Sequence, residues 1–382
     1  MDRADVVVIG AGAMGTAAAR ALAERGVDVV ALERFRIGHA SGSSHGPTRI
    51  FRLSYPHVDY TRLAKRALQG WANLEEASGE RLLVRTGGLD VGPVARDCRA
   101  ALDATGLASE WLSAAEAAQR FPAIDFGGLR EILYQPDAGV CLAARTVEAQ
   151  ARVARRAGAD LREDASVERL ERTNSGGVRV WTAGGAIEAR VAVVTAGSWA
   201  APLLVDAGLP PLPLTAVLQH VSYFPGPGGT ASPHLPTFID WSGPDISWYA
   251  LASAGEAPGV KVGQHVGGRP VDPAAGPFEV DPAMATVHSA YVRTRFPGLG
   301  PEPVLTETCL YTMTPDEDFI LDRVGPVVIG SPCSGHGFKF APLIGDVLAD
   351  LALGSPPGPP GSRFALDRPA LEKPSGFRIS RP

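Results

Sequence analysis

The sequence predicts an α/β protein: a parallel sheet with helices on both faces, and a second, sheet-rich domain inserted into it in pieces. Three observations carry this. A nearly continuous apolar, β-branched run at 5–9 reads as a strand covered on both faces, with further strands at 27–32 and 186–194. A strand, a glycine turn and a helix follow one another at the start of the chain, and strand-to-glycine signals return at 194–197 and 327–330. Between these segments the alternation of strand and helix lapses, most plainly in the proline- and glycine-rich stretch 201–245.

The first strand, 5–9, runs into Gly10-Ala-Gly12-Ala-Met14-Gly15. An alanine-rich amphipathic stretch, 16–25, follows as a helix and stops at Gly26, a residue suited to the position after a helix end. The second strand, 27–32, stops at Glu33. Strand, G-x-G-x-x-G, helix, strand and acid within about thirty residues form a dinucleotide fingerprint. Gly10 makes the tight turn, Gly12 lets the backbone approach a pyrophosphate, and Gly15 lets helix and strand pack closely. The helix N-terminus aims unpaired N–H groups at the phosphates. Glu33 is placed to accept hydrogen bonds from a ribose and would repel a 2′-phosphate, which argues against NADP. NAD and FAD both remain open on this motif.

Beyond it, a loop of small residues from His39 to Gly46 leads into Arg49-Ile-Phe-Arg52. Periodicity predicts helices over 60–75, 146–157 and 343–353, a strand and turn over 82–92, and strands over 165–170, 178–182, 186–194 and 327–329. The Gly/Pro run at 354–361 reads as a stiff linker or surface strap. The chain divides into 1–81, 140–212 and 317–382 for the dinucleotide-binding domain, and 82–139 and 213–316 for a substrate domain.

Composition sets the outer bounds. The 382 residues are 45% hydrophobic and 20% charged, with a formal net charge of −5. That excludes a wholly disordered chain and gives no general claim on nucleic acid or anionic membrane. No apolar run has the length of a membrane span, and Asp2, Arg3 and Asp5 before the first strand do not make a signal peptide. Cys98, Cys141, Cys309 and Cys333 are spaced neither as a disulfide framework nor as a metal site. The expectation is a cytoplasmic, metal-free protein.

Four further clusters stand out. Ser44-His45-Gly-Pro47-Thr48-Arg49-Ile-Phe-Arg52 carries two arginines three apart, a spacing that would put them on one face of a helix. Lys261-Val-Gly-Gln-His265 reads as extended, with Lys261 and His265 on one face of a strand. Cys309-Leu-Tyr311-Thr312 lies in a β-favouring run. Ser334-Gly335-His336-Gly337-Phe338-Lys339-Phe340 holds a lysine between two aromatics. Singly, each has a plain structural explanation: an exposed arginine pair, a small core thiol, a lysine whose stem packs while its ammonium reaches water.

Together with the fingerprint and Arg368-Pro-Ala-Leu371, these blocks resemble the monomeric sarcosine oxidase family. Its close relatives are N-methyltryptophan oxidases, in the glycine-oxidase-like branch of FAD-dependent amine oxidases. The resemblance runs from residue 5 to about 371. It implies an FAD-binding, Rossmann-like domain of the glutathione-reductase type with an inserted sheet-rich α+β substrate domain. It also implies FAD attached covalently through a cysteine thioether at the 8α position, at Cys309. The activity it implies is oxidation of the C–N bond of a small secondary amine, with a hydride equivalent passing to the flavin and O2 reduced to hydrogen peroxide. Arg52 and Lys339 match the substrate-carboxylate clamp; Trp248, Tyr249 and Tyr311 match the substrate pocket. Lys261 matches the lysine that promotes reaction with O2, and His265 the histidine near the bound amine. His45 and Arg49 match residues beside the flavin ring, where a cation favours reduced, anionic flavin. The remaining cofactor positions it implies are Gly10, Gly12, Met14, Gly15, Glu33, Arg34, Ser43, Thr48, Val167, Gly335, Gly337 and Phe338. A monomer is expected, with a small-molecule secondary amine and O2 as its partners.

Two departures from the family pattern bear on the substrate. Pro47 replaces an acidic residue, and in the segment Ile246-Ser-Trp248-Tyr249, Trp248 stands where sarcosine oxidases carry tyrosine. The larger aromatic wall points to a bulkier or cyclic secondary amino acid, such as N-methyltryptophan, pipecolate or proline, as readily as to sarcosine. Other readings stay open here. An NAD-dependent dehydrogenase shares the fingerprint but leaves Cys309 and the Gly335–Lys339 block unexplained. A flavin dehydrogenase would pass electrons to another acceptor, and a non-catalytic flavoprotein would have no need of so many cations.

Overall fold

A computed structural model describes residues 2–226, 235–243, 247–265, 268–356, 358 and 361–372. Ile246 and positions 357, 359 and 360 of the Gly/Pro run lie outside the described residues.

The first sheet is centred on the strand Asp2–Ile9, which runs parallel to Val29–Leu32 on one side and to Gly185–Val194 on the other. Its order is completed by Asp160–Arg162 beyond Val29–Leu32, and by Val178–Thr182 and Val167–Arg172 beyond Gly185–Val194. Val327–Ser331 runs parallel to the end of Gly185–Val194, with Ile320–Val324 antiparallel outside it. The unbroken apolar run at residues 6–9 is explained by its two faces. Val6 and Val8 enter one core, with the alanines of the helix Ala13–Ala23 and with Leu343, Ile344 and Leu348. Val7 and Ile9 enter another, with Leu170, Val180 and Leu204. Successive strand residues point to opposite faces, so a strand buried on both has no polar position.

Small residues set the helix packing. The helices Ala13–Ala23 and Ala341–Ala352 meet where a Cβ at Gly345 would lie 2.5 Å from the Ala17 carbonyl oxygen. The expected helices form as Val58–Ser78, Ala143–Arg156 and Ala341–Ala352. The longest is capped by the His57 side chain and stops at Gly79, whose φ is 72°.

A second sheet runs Arg269–Pro270, Thr215–Phe224, Val260–Gln264, Trp248–Leu251, Thr237–Asp240, Gly88–Val91, Ile132–Gln135, Glu110–Trp111, with Leu305–Met313 also on Thr215–Phe224. That last pair stays in register from Thr215 opposite Met313 to Tyr223 opposite Leu305. A three-stranded sheet joins Thr48–Phe51, Gly139–Leu142 and Leu83–Arg85. The predicted strand-and-turn at 82–92 is therefore two strands in two different sheets, separated by the turn at Gly87, where φ is 72°.

The arginine pair does not lie on a helix. Arg49 is in the strand Thr48–Phe51, opposite Cys141, and Arg52 follows its end. Pairing to Gly139–Leu142 satisfies this backbone as a ladder, and Ile50 and Phe51 favour that conformation. Among the described residues, no helix is long and apolar enough to cross a membrane, and no group of three or more His, Cys, Asp or Glu could hold a metal ion.

The substitution Gly345→Ala should force the two helices apart, because the obstruction is backbone and cannot rotate away. Overpacking of this kind costs about 1–3 kcal/mol, read as a lowered thermal midpoint.

Candidate active site

The three sheets meet around one cavity of about 450 Å³. Its floor begins at the fingerprint. Gly10 has φ of 91°, and a Cβ there would lie 2.8 Å from the Thr195 carbonyl oxygen; one at Gly15 would lie 1.7 Å from the Gly10 oxygen. These positions admit only glycine, which brings the N-terminus of the helix Ala13–Ala23 against the strand ends. Ser44 Oγ accepts a hydrogen bond from the Ala13 amide at 3.0 Å, and a Cβ at Gly12 would lie 3.1 Å from that oxygen.

Glu33, 5% exposed, ends the second strand. Its carboxylate accepts from the Ala11 amide at 2.8 Å and the Phe35 amide at 3.0 Å, and lies 3.3 Å from His39 Nε2. Burial pushes the carboxyl up, but hydrogen bonds from His39 and the two amides outweigh it and hold it below 4.5. The acid is therefore ionised, and it ties the glycine turn to the loop after the second strand.

The loop at 43–48 and the second sheet bring cations together above this floor. Arg49 donates to the carbonyls of Thr48 at 2.8 Å, Ser43 at 3.0 Å and His45 at 2.5 Å. Lys261 Nζ lies 3.5 Å from the Thr48 carbonyl. Burial, and then Arg49, lower the Lys261 ammonium to about 7. His45 lies 3.1 Å through Nε2 from the Thr308 carbonyl, so Nε2 carries the proton. Burial and the charges of Arg49 and Lys261 bring it down to about 4. At neutral pH His45 is uncharged, and Arg49 supplies the positive charge at this end, with Lys261, near 7, adding to it only in part. Cys309, in the strand Leu305–Met313, borders the cavity with them. Burial holds its thiol above the ordinary cysteine value, with Lys261 and Arg49 pulling it back only in part.

A second pair of cations lies on the far wall. Arg52 Nη1 donates to the Ser54 carbonyl at 2.9 Å and lies 3.7 Å from Asp90 Oδ1. Its guanidinium carbon is 4.2 Å from the Tyr55 ring centroid and 5.5 Å from that of Trp241. Lys339 Nζ donates to the His336 carbonyl at 2.6 Å, and burial and Arg52 lower its ammonium well below the usual lysine value. His265 is brought down to about 4 by burial, then by Arg52 and Lys339, so it is a neutral imidazole. Gly335 makes this closeness possible: with φ of 74°, its Cβ would lie 2.5 Å from the Tyr311 ring and 3.0 Å from His265 Cε1. Tyr249 and Tyr311 line the same wall. Trp248 borders the cavity too, but its ring stacks on Tyr291 at 4.1 Å and 3°, against the helix Pro282–Arg295.

Every candidate site residue taken from the sequence borders this cavity except Gly15, which packs beneath it. Arg34, Ser43, Met14, Val167, Gly337 and Phe338 are among those that do. Sequence reading named Ser44 without giving it a role, and overlooked the turn Thr195–Trp199 as a wall and Trp241 with Asp90. A charged residue inside the apolar run Gly88-Leu-Asp-Val was a usable signal for the last. Thr48 Oγ1, Trp199 Nε1, Ser247 Oγ and Ser331 Oγ are buried without a protein partner, and all belong to lining residues. Buried polar atoms are normally paired; these four, with the glycine cradle, fit a polar ligand of dinucleotide kind.

Comparison with known proteins agrees. The family described as FAD dependent oxidoreductase matches residues 5–351. The chain is 34% identical to human peroxisomal sarcosine oxidase, over 97% of this chain and 98% of that one. It is 32% identical to monomeric sarcosine oxidase of Bacillus sp. (strain B-0618), over 97% of each. Among solved structures, the open form of NikD, an unusual amino acid oxidase essential for nikkomycin biosynthesis, superposes with a TM-score of 0.83 at 29% identity. That match covers 96% of this chain and 98% of the other.

Glu33 provides a test with a definite sign. Because its folded-state value is depressed, its stabilisation is complete above the ordinary carboxylate value and is lost as pH falls through the depressed one. Glu33→Gln should therefore cost about 1–3 kcal/mol at pH 7, and the gap to the unsubstituted protein should close as pH drops below 4.5. Thermal melts across pH 3–8 (about that range) measure it.

Proposed function

We propose, on the premise that this chain belongs to the FAD dependent oxidoreductase family, that it oxidises the C–N bond of a small secondary amino acid, N-methyl or cyclic, and passes the electrons to O2. The observation that carries this reading is the convergence of Arg52, Lys339, His265 and Lys261 on the cavity that opens from the dinucleotide cradle. The names of the relatives, sarcosine oxidases and an amino acid oxidase, support it. FAD, when bound, supplies the two-electron acceptor that the side chains themselves lack.

The protein's own residues do the rest. The start of the helix Ala13–Ala23, where Ser44 Oγ already takes the Ala13 amide, would hold the pyrophosphate, and Glu33 would stand at the ribose end. Arg34, Ser43, Thr48, Val167, Gly335, Gly337 and Phe338, which line the cavity, would contact the cofactor. Arg52 and Lys339 hold the substrate carboxylate, Arg52 with a fork suited to two oxygens. His265, uncharged at neutral pH, lies in surroundings where burial, Arg52 and Lys339 disfavour a further positive charge, and the same surroundings favour the neutral amine that gives up hydride. Tyr249 and Tyr311 close the pocket; Trp248 stiffens it through its stack on Tyr291. Lys261, where a cation stabilises charge developing on oxygen, favours O2 as the acceptor, with hydrogen peroxide as product. Arg49 holds positive charge beside the ring position. Cys309 is the attachment residue: it borders the cavity, and Lys261 and Arg49 offset part of the burial that raises its thiol, the thiolate being the form able to bond carbon. We assign 1–81, 140–212 and 317–382 to cofactor binding and 82–139 and 213–316 to the substrate, in a chain that acts as a monomer.

Acid precipitation of purified protein should leave yellow flavin in the pellet, and Cys309→Ala should release it to the supernatant; flavin in the supernatant of the unsubstituted protein would remove the Cys309 role. Lys261→Met should slow reoxidation of reduced flavin by O2 about a hundredfold and leave anaerobic reduction nearly unchanged. Equal slowing of both half-reactions would favour another electron acceptor.

A further inference from the structure

We propose that Asp90 is a positioning residue that fixes the Arg52 guanidinium and the Trp241 indole as one preformed wall of the substrate pocket. The proposal rests on the reading of Arg52 as the carboxylate-binding residue. Asp90 lies in the strand Gly88–Val91 and is 0% exposed. A carboxylate in that position is costly unless it is paired and hydrogen-bonded, and here each oxygen has two partners. Oδ2 accepts from Ser54 Oγ at 2.5 Å and Gln135 Nε2 at 2.8 Å. Oδ1 accepts from Trp241 Nε1 at 3.3 Å and faces Arg52 Nη1 at 3.7 Å.

The same network holds the backbone that carries Arg52. Gln135 Oε1 accepts from the Leu53 and Ser54 amides at 2.8 and 3.1 Å, and the Ser54 carbonyl accepts from Arg52 Nη1. Arg52 and Trp241 line the cavity, and Asp90 stands behind both. At 3.7 Å the Arg52 contact is too long for a hydrogen bond, so Asp90 orients the guanidinium by charge. Ser54 and Asp90 also take the same nitrogen, so the hold is one-sided. An arginine fixed in this way loses less freedom when a ligand docks, which is the general benefit of preorganisation.

The test uses holoenzyme and two probes of one shape, 2-furoate and its neutral amide 2-furamide, with binding read from the flavin absorbance. Asp90→Asn should weaken 2-furoate about tenfold and change 2-furamide less than about twofold. Ser54→Ala removes one strut while keeping the Asp90 charge, and should act in the same direction by a smaller factor; it decides the matter if Asp90→Asn does not fold. Equal losses for both probes would make Asp90 a packing residue and overturn the proposal, as would unchanged binding. Tighter 2-furoate binding would show that Asp90 competes with the ligand, and overturns it too. Arg52→Ala separates the two levels: if it leaves 2-furoate unaffected, the carboxylate-clamp reading fails. If Arg52→Ala weakens 2-furoate and Asp90→Asn does not, only the Asp90 role fails.

Discussion

Buried cations held by main-chain carbonyls are the constraint around which this site is built. Arg49 and Lys261 share the Thr48 carbonyl, Arg49 also takes those of Ser43 and His45, Lys339 takes that of His336, and Arg52 that of Ser54. For Arg49, Lys261 and Lys339, a carboxylate in direct contact would have stabilised the cation more strongly, but it would also have cancelled the charge. Carbonyl dipoles fix a cation in place and leave its charge for an anionic ligand. The cost appears as depressed proton affinity: Lys261 near 7, Lys339 lowered, and His45 and His265 near 4. Packing so much like charge into one cavity demands rigid surroundings, and the rest of the structure supplies them.

Three sheets share that task. The parallel sheet presents the glycine turn and Glu33. The three-stranded sheet carries Arg49 and, just past its end, Arg52. The large sheet brings Lys261 and Tyr249 on neighbouring strands and Cys309 on the far side of Thr215–Phe224, with Tyr223 opposite Lys261 and Gln219 opposite Cys309. The loop Gly335–Phe338 closes the space between them, and it lies close enough only because Gly335 has no side chain. Asp90, whose carboxyl is pushed up by burial, faces Arg52 from behind the wall at 3.7 Å, a distance that aligns it without saturating it.

Much of this was legible in the residues. The two-faced strand at 5–9, the glycine fingerprint and the terminal acid are local patterns whose physical meaning does not depend on distant chain. The blocks around His45, Lys261, Cys309 and Lys339 were legible as candidates, and all of them reach one cavity. Other features were not. Arg49 and Arg52 carry a helical spacing, yet their segment is a strand because residues 139–142 offer it a ladder. The run 82–92 looks like one strand and turn, yet it serves two sheets. Trp248 reads as a pocket wall and does border the cavity, but the stack that holds its ring, on Tyr291 about forty positions away, was not legible.

The sequence by itself determined the dinucleotide cradle, the two-layered burial of the first sheet and the inventory of charged groups available for catalysis. Each follows from neighbours a few residues apart, through turn geometry, side-chain period and residue chemistry. The tertiary structure alone decided which charges are felt together. The neutral state of His45 and His265, the low proton affinity of Lys261, and the hold of Asp90 on Arg52 and Trp241 all depend on groups far apart in the chain. Burial and Coulomb interaction act through space, and only the folded chain sets those distances.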